Sequence, residues 1–322
     1  MIRRYEHLNR GDLAADDPRY NEQWRSMLGH LGTYVEAVVG QLNLRPTDAT
    51  LLSEPGQQIL IRLSTPDAHW VLRIAPEGDL AGELFFSRTM ERAGLPVARI
   101  AHHDLRRLQL PFAWVLEAYI GGHSANHLED PLLLHALARQ VGRALRRMHR
   151  IPMPAWGRPN ALLAWGVSEW PTMLARLHHS ALIAPFDAVL FNEEQRYRLA
   201  RLLEHPTLHT INSPLLIHGA LSPHTIRYTG SNQQVQLAAF VDPGPVIAGD
   251  PMLDLAIALD PDFPPAWCRG LREGYGSNIP LSANEAQRLD IYMHLTCAWN
   301  ACQHYARGEP FEAALQVAIT GI

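Results

Sequence analysis

Four polar side chains sit where chemistry would need them. His218 follows a short apolar run, Leu215 to Ile217, and precedes Gly219. Asp242 follows a second apolar run, Leu237 to Val241, and precedes Pro243-Gly244. An acid at the end of a buried strand, beside a glycine turn, is placed to hold a divalent cation against phosphate oxygens. An Asp that merely caps a turn has the same local pattern. The position after His218-Gly219, where a carboxylate would complete the arrangement as a base, is Ala220. A methyl group neither accepts a proton nor binds a metal. His224 lies in the same loop, and neutral imidazole is basic near neutral pH, so it is the available substitute base.

The other two candidates lie upstream. Arg73 sits mid-strand in "WVLRI", flanked by apolar residues. Glu83 shares one face of the segment "GELFFSRTMERAG" with Phe86 and Met90, through i, i+3 and i+7 spacing. An inward carboxylate requires a cation, and an in-strand Arg requires a carboxylate or a phosphate. The expectation is an Arg73–Glu83 pair that sets Arg73 on the phosphates of a nucleotide; the alternative is a Glu83 that only caps the helix start. The chain contains no Lys, so any step that calls for an ammonium falls to a guanidinium.

These residues need elements to hold them. Residues 20–43 read as a helix with Trp24, Leu28, Leu31, Val35 and Val38 on its apolar face. Residues 50–74 read as three strands, with turns at Pro55-Gly56 and in "STPDAH". Residues 82–94 form a helix that Gly94 closes, and 110–122 another strand running into a glycine pair. Beyond Gly122 the texture turns helical. In 131–149, Leu134, Leu137, Val141, Leu145 and Met148 share one face, while Arg139, Arg143, Arg146 and Arg150 form a stripe read as solvated. Further helical patterns cover 187–204 and 284–307, and the two strand-like pieces carrying His218 and Asp242 lie between them, a short hairpin apart.

Bulk properties exclude several classes. At 322 residues the chain is too long for one small core, so two lobes are expected. A composition of 47% apolar and 19% charged residues with net charge −4 fits a globular protein and gives no nucleic-acid signature. No window reaches a membrane span, and no apolar stretch follows the basic N-terminal residues as in a signal peptide. Three cysteines without close pairs (Cys268, Cys297 and Cys302) fit a reducing cytoplasm better than a disulfide scaffold. Seventeen histidines invite a metal site. The adjacent pairs in "AHHD" and "LHHS" have diverging side chains, however, and read as solvated.

Taken in order, the strands, the helix, "VLEAYIGG", "HGALSP" and "VDPG…GDPMLDLA" resemble the aminoglycoside phosphotransferase/choline kinase-like family. "GLPVARI" and "VGRALRRMHRI" resemble family segments too, and the likeness runs from about Leu51 to the C-terminal helices. It implies an α+β, bilobal protein-kinase-like fold. A small N-terminal lobe with an antiparallel sheet and one inserted helix would span residues 1–118, and a larger, mainly helical C-terminal lobe residues 119–322. It implies ATP and Mg2+ as cofactors and a nucleotide plus an unidentified small molecule as partners. The family loop reads HGDxxxxN, with Asp as catalytic base and Asn as metal ligand. Aligned on His218-Gly219, Ala220 takes the base position and Thr225 the Asn position. By the same resemblance Asp242 matches the metal-binding Asp, Asp250 and Asp254 match acids that are mainly architectural, and Arg73 and Glu83 match the phosphate-binding cation and its helix partner. Glu117 to Tyr119 match the hinge whose backbone meets adenine. Gly56 is the one glycine left in the nucleotide-covering loop, and Tyr292, Trp299 and Gln303 lie in the region that walls an acceptor pocket, although such aromatics serve equally as core.

Three readings follow. A kinase homologue that binds a nucleotide or small ligand with little or no phosphotransfer accounts for retained Arg73, Glu83 and Asp242 beside the altered Ala220 and Thr225. An active small-molecule kinase would need His224 as substitute base. A scaffold acting through a protein partner would need no nucleotide at all.

Overall fold

The computed structural model describes residues 4–10, 21–52, 58–180, 183–231, 234–276 and 280–320. Gly56 and the turn read around it lie outside them. By its contacts the chain divides into two compact units. One comprises Met1–Arg88, Ala98–Tyr119 and Asn160–Leu163; the other comprises Thr89–Val97, Ile120–Pro159 and Ala164–Ile322.

The first unit is built on an antiparallel five-stranded sheet. Its strands are β1 (Asp48–Leu51), β2 (Ile59–Ser64), β3 (His69–Ala75), β4 (Ile100–Asp104) and β5 (Ala113–Ala118), ordered β1-β2-β3-β5-β4. Strand alternation sorts the faces. Ile59, Ile61, Leu63, Leu72, Ile74, Trp114 and Leu116 point to a core shared with Trp24, Leu28, Leu31 and Val35. Ala75, Ala113 and Val115 point to a second core with Leu80, Ala81 and Leu84. The latter belong to the start and lead-in of helix α3 (Ala81–Arg92), which ends as the sequence indicates: Gly94 adopts φ 61, and Leu95 N–H reaches the Met90 carbonyl at 3.0 Å.

The helix expected over 20–43 is two helices, α1 (Glu22–Gly29) and α2 (Leu31–Gln41). The break has a tertiary cause. A Cβ at Gly32 would lie 2.2 Å from the Tyr5 carbonyl oxygen, and the Gly32 N–H is taken up by the Asn9 side chain at 2.8 Å. The leading segment therefore caps α2 from outside, where helix periodicity gives no sign of it.

In the second unit helix α4 (Pro131–Met148) starts at Asp130, whose carboxylate accepts the Leu132 and Leu133 N–H groups. It buries the expected Leu134, Leu137, Val141, Leu145 and Met148. The Arg stripe is only partly solvated: Arg146 stacks over Tyr275 at 4.8 Å and lies 3.8 Å from Glu285. Helix α9 (Pro265–Gly276) crosses α4 at glycines. A Cβ at Gly274 would meet the Arg139 carbonyl oxygen at 2.2 Å, so the backbones pack directly on each other.

Two small sheets complete the frame. One has the order β11 (Gln234–Phe240), β10 (Ile226–Ser231), β6 (His123–Ser124). The other has the order β8 (Trp165–Val167), β7 (Trp156–Pro159), β12 (Ala248–Gly249), β9 (Leu215–Leu216). The Gln140 amide of α4 acts as a neighbour strand for β11, donating to Val235 O at 2.9 Å and accepting Leu237 N–H at 3.0 Å. The helices are α5 (Trp170–His178), α6 (Ala184–Leu190), α7 (Glu193–Leu203), α8 (Pro251–Ala258), α10 (Ala283–Arg307) and α11 (Glu312–Ile319).

Candidate functional site

His218 and Asp242 lie on either side of the β10–β11 hairpin, and the structure brings their loops together. His218 Nε2 is 3.0 Å from the Val241 carbonyl oxygen, Gly244 N–H donates to His218 O at 2.8 Å, and Val241 N–H donates to Thr225 O at 2.9 Å. Gly219 has φ 75, and a Cβ there would lie 1.9 Å from the Val246 carbonyl oxygen, so no side chain fits. A Cβ at Gly244 would lie 2.2 Å from the Gly219 carbonyl oxygen and 3.0 Å from the Ala220 Cβ. The Ala220 methyl thus faces the Asp242–Pro243–Gly244 turn, the direction in which a carboxylate at that position would point.

Asp254, in the first turn of α8, fixes this loop from beneath. Its Oδ2 accepts the His218 N–H at 2.7 Å and lies 3.0 Å from His149 Nε2; its Oδ1 accepts the Gly219 N–H at 2.8 Å. His149 Nδ1 in turn is 2.9 Å from the Tyr275 hydroxyl. Burial pushes the Tyr275 phenol up to about 12, which keeps it a donor. Asp250 caps α8 through Met252 N–H at 3.1 Å and pairs with Arg288 at 2.8 Å. Both acids are fully buried. His149, the third member of the Asp254 cluster, was not singled out from sequence; its signal is a histidine just past the end of an amphipathic helix, a position that also suits a solvated cap.

Burial alone would raise the Asp254 carboxyl. The hydrogen bond and charge of His149, with contributions from His218, outweigh it and hold the group below the ordinary 3.8. His218 moves down from the ordinary 6.5 because burial disfavours imidazolium more than Asp254 and the Val241 carbonyl favour it. A depressed histidine stays neutral in the fold while the unfolded chain takes up a proton, so stability is lost as pH falls below about 6.5. Asp254 adds a second loss as pH drops from 3.8 through its lower folded value. The denaturant midpoint is expected to fall steadily from pH 7.5 to pH 5, and a flat midpoint over that range would contradict the assignment.

The other loop residues are placed less favourably for chemistry. Thr225 Oγ1 accepts the Ser222 N–H at 3.1 Å and donates back to Ser222 O at 3.1 Å, closing a capping box around residues 223–225. Its hydroxyl is thus turned into its own loop. His224 is exposed and its carbonyl accepts from Ser124 at 3.3 Å. Partial burial, and then the neighbouring His127, lower its pKa. Asp242 has φ 55, a left-handed conformation that Asp tolerates but that costs on the order of 1 kcal/mol or more.

In the first unit Arg73 and Glu117 lie on the same sheet face, on adjacent strands. An ion pair joins Arg73 to Glu117 at 2.9 Å, and both side chains are buried. The Gln58 amide links Arg73 to Glu83 as well, accepting from Arg73 at 2.7 Å and donating to Glu83 at 2.7 Å. Nothing in the local sequence marks Gln58 for this role. At the expected hinge, Ala118 N–H donates to Arg99 O at 2.8 Å and Tyr119 N–H to His69 O at 3.0 Å, so both donors serve the sheet.

Of the two readings open for Tyr292 and Trp299, the packing favours core: Tyr292 accepts from Trp170 at 2.6 Å, and Trp299 donates to His178 at 3.1 Å. Gln303, on the same helix, is half-buried. His178, read as solvated, is therefore buried as the acceptor for that indole, and burial lowers its pKa. His102 and His103 are exposed as expected. Among the described residues no cluster of three metal-binding side chains occurs, and no helix is long and apolar enough to cross a membrane.

A sheet with one helix after its third strand, followed by a helical unit with an HG loop and a VDPG turn, defines a kinase-like phosphotransferase class. The sequence model of the phosphotransferase enzyme family matches residues 59–288, well over half of the chain, and the chain belongs to that family. No curated protein sequence matches it. Among solved structures it is similar to a thermostable mutant of aminoglycoside phosphotransferase APH(4)-Ia in apo form, with a TM-score of 0.63, 14% identity, and coverage of 88% of this chain and 95% of that one. A ternary complex of that enzyme with AMP-PNP and hygromycin B gives a TM-score of 0.64 at 13% identity, covering 88% and 94%. The GDP and kanamycin complex of APH(2")-IIia gives 0.61 at 16% identity, covering 89% and 97%. At these identities the likeness establishes the protein-kinase-like fold.

Proposed function

We propose that this chain is a phosphotransferase-family protein that binds a nucleotide or small ligand and carries out little or no phosphoryl transfer. One observation carries the reading: Ala220 occupies the base position of a loop whose supports, Asp254 above all, are intact. General-base catalysis contributes roughly a hundred- to ten-thousand-fold, and a methyl group supplies none of it.

Similar solved structures hold AMP-PNP or GDP, which favours a nucleotide as the ligand class here. For Mg2+ these residues supply less than the family's Asp and Asn pair would. Asp242 offers one carboxylate, while the Thr225 hydroxyl is engaged with Ser222. A magnesium centre usually needs one or two carboxylates plus phosphate oxygens in near-octahedral order. Arg73 and Glu83 stay assigned to the phosphate end of the ligand, and Glu117 and Tyr119 to its base end; Gly56 keeps its role in the covering loop by resemblance. The 1–118 and 119–322 division serves as the working assignment of nucleotide-binding and acceptor-binding halves. Three cysteines without close pairs suit a cytoplasmic setting.

A melting series with ATP, ADP and GTP, with and without magnesium, tests the reading. A ligand bound only by the folded state raises the melting temperature by mass action. The expected result is a shift with at least one nucleotide and a weak magnesium effect. No shift with any of them would favour a scaffold acting through a protein partner. A second reading has a specific observation behind it: His224 is exposed and its pKa is lowered, so it is largely neutral at pH 7. If it acts as base, turnover will be robust and His224→Ala will abolish it. The expected result is negligible turnover in both proteins.

A further inference from the structure

We propose that Glu117 is a built-in competitor for nucleotide phosphate: its carboxylate occupies the guanidinium that a polyphosphate would need, so the first unit favours uncharged nucleoside-like ligands over nucleotides. The proposal rests on the nucleotide reading above and sharpens its ligand class.

The geometry is local to one sheet. Arg73 on β3 pairs across with Val115, and Val71 with Glu117, so Arg73 and Glu117 are diagonal neighbours on one face. Their contact is 2.9 Å between side chains only 7% and 11% exposed. Charge-assisted pairs of this length are strong where water is scarce. The second arm of Arg73 is held by Gln58, which ties it to Glu83. These four side chains therefore carry two carboxylates and one guanidinium.

A triphosphate reaching Arg73 would have to share the guanidinium with Glu117 or displace it, and in either case the carboxylate would remain buried beside the incoming anion. Like charges a few ångströms apart in a poorly solvated site repel strongly. A nucleoside, which has no phosphate, meets no such opposition. Glu117 thus sets the specificity of the site through Arg73.

Titration calorimetry on the full chain tests this with ATP and adenosine as probes. Glu117→Gln keeps the shape of the side chain and a hydrogen-bond acceptor, and removes its charge. Glu117→Met serves as a second, volume-matched variant, and melting curves confirm that each variant is folded. The expected result is that ATP affinity rises by about tenfold or more relative to adenosine affinity in both variants, the size of a lost buried like-charge contact. Arg73→Met added to Glu117→Gln should cancel the gain. If the parent binds ATP and neither Glu117 variant binds it tighter, the proposal falls and the nucleotide reading stands. If adenosine tightens as much as ATP, the effect is loosening of the site, and the proposal also falls. If no protein in the set binds ATP or adenosine, both readings fall together.

Discussion

Ala220→Asp combined with Thr225→Asn is expected to raise ATP hydrolysis by roughly a hundred-fold or more over the parent chain, the lower end of what a general base contributes. The surroundings are prepared for it. Gly219 holds its left-handed turn, Asp254 clamps the two N–H groups before position 220, and the Ala220 methyl faces the Asp242–Gly244 turn. A carboxylate there would stand close to that of Asp242, and two acids so placed favour a shared cation. Asn at 225 offers an amide oxygen, a better ligand for a hard cation than the Thr hydroxyl that is engaged with Ser222. Each single change should do far less than the pair, because base and metal ligand act as a unit. ATP turnover with water as acceptor, measured with magnesium across the four proteins, decides the matter. Equal turnover in all four would show that the site differs from an active one by more than these two residues.

Removing the clamp is expected to have the largest effect on stability. Asp254→Ala leaves the His218 and Gly219 N–H groups and the His149 imidazole without their common acceptor in a fully buried place. Breaking one partner out of a buried charged network costs about 3–5 kcal/mol, a large share of a domain's stability. Asp254→Asn keeps one acceptor oxygen and should cost about half as much, since its NH2 group meets one of the three donors. Denaturant unfolding followed by tryptophan fluorescence reads the difference. An Asp254→Ala protein with a midpoint within error of the parent would show that the loop is held by other contacts. Whatever the ligand, this substitution should also abolish its binding if the His218 loop contributes to the site.

The two outcomes bear on one question: whether the frame of the loop has outlived its chemistry. A loop kept by Asp254, His149 and Tyr275 is stabilised through the folding of the second unit, independently of turnover. His218 and Gly219 thus serve the stability of the unit whether or not position 220 carries a base. The Arg73–Glu117 pair makes the same point in the first unit, where a cation expected to face a phosphate is satisfied inside the protein.

Part of the element order is legible in the sequence by itself. The strands read over 50–74 and 110–122 correspond to β1 to β3 and β5, the apolar stripe of residues 131–149 marks α4, and Gly94 marks the end of α3, whereas β4, α5 and α9 were not read from it. Residue type is also enough to say that Ala220 is no base. Local pattern carries such features since they depend on neighbours within a turn or a strand. Only the tertiary structure decided which partners the buried polar groups take. Strand register put Glu117 on the same face as Arg73, and the Gln58 amide linked Arg73 to Glu83 as well. His178 became an indole acceptor because α10 brings Trp299 to it, and the first helix broke because residues 5–9 fold back against Gly32. Asp254 gathered donors from 36 and 105 positions away. Hydrogen bonds and ion pairs are short-range and directional, so a partner is chosen by where the packed chain delivers it, and that information is absent from the spacing of residues along the sequence.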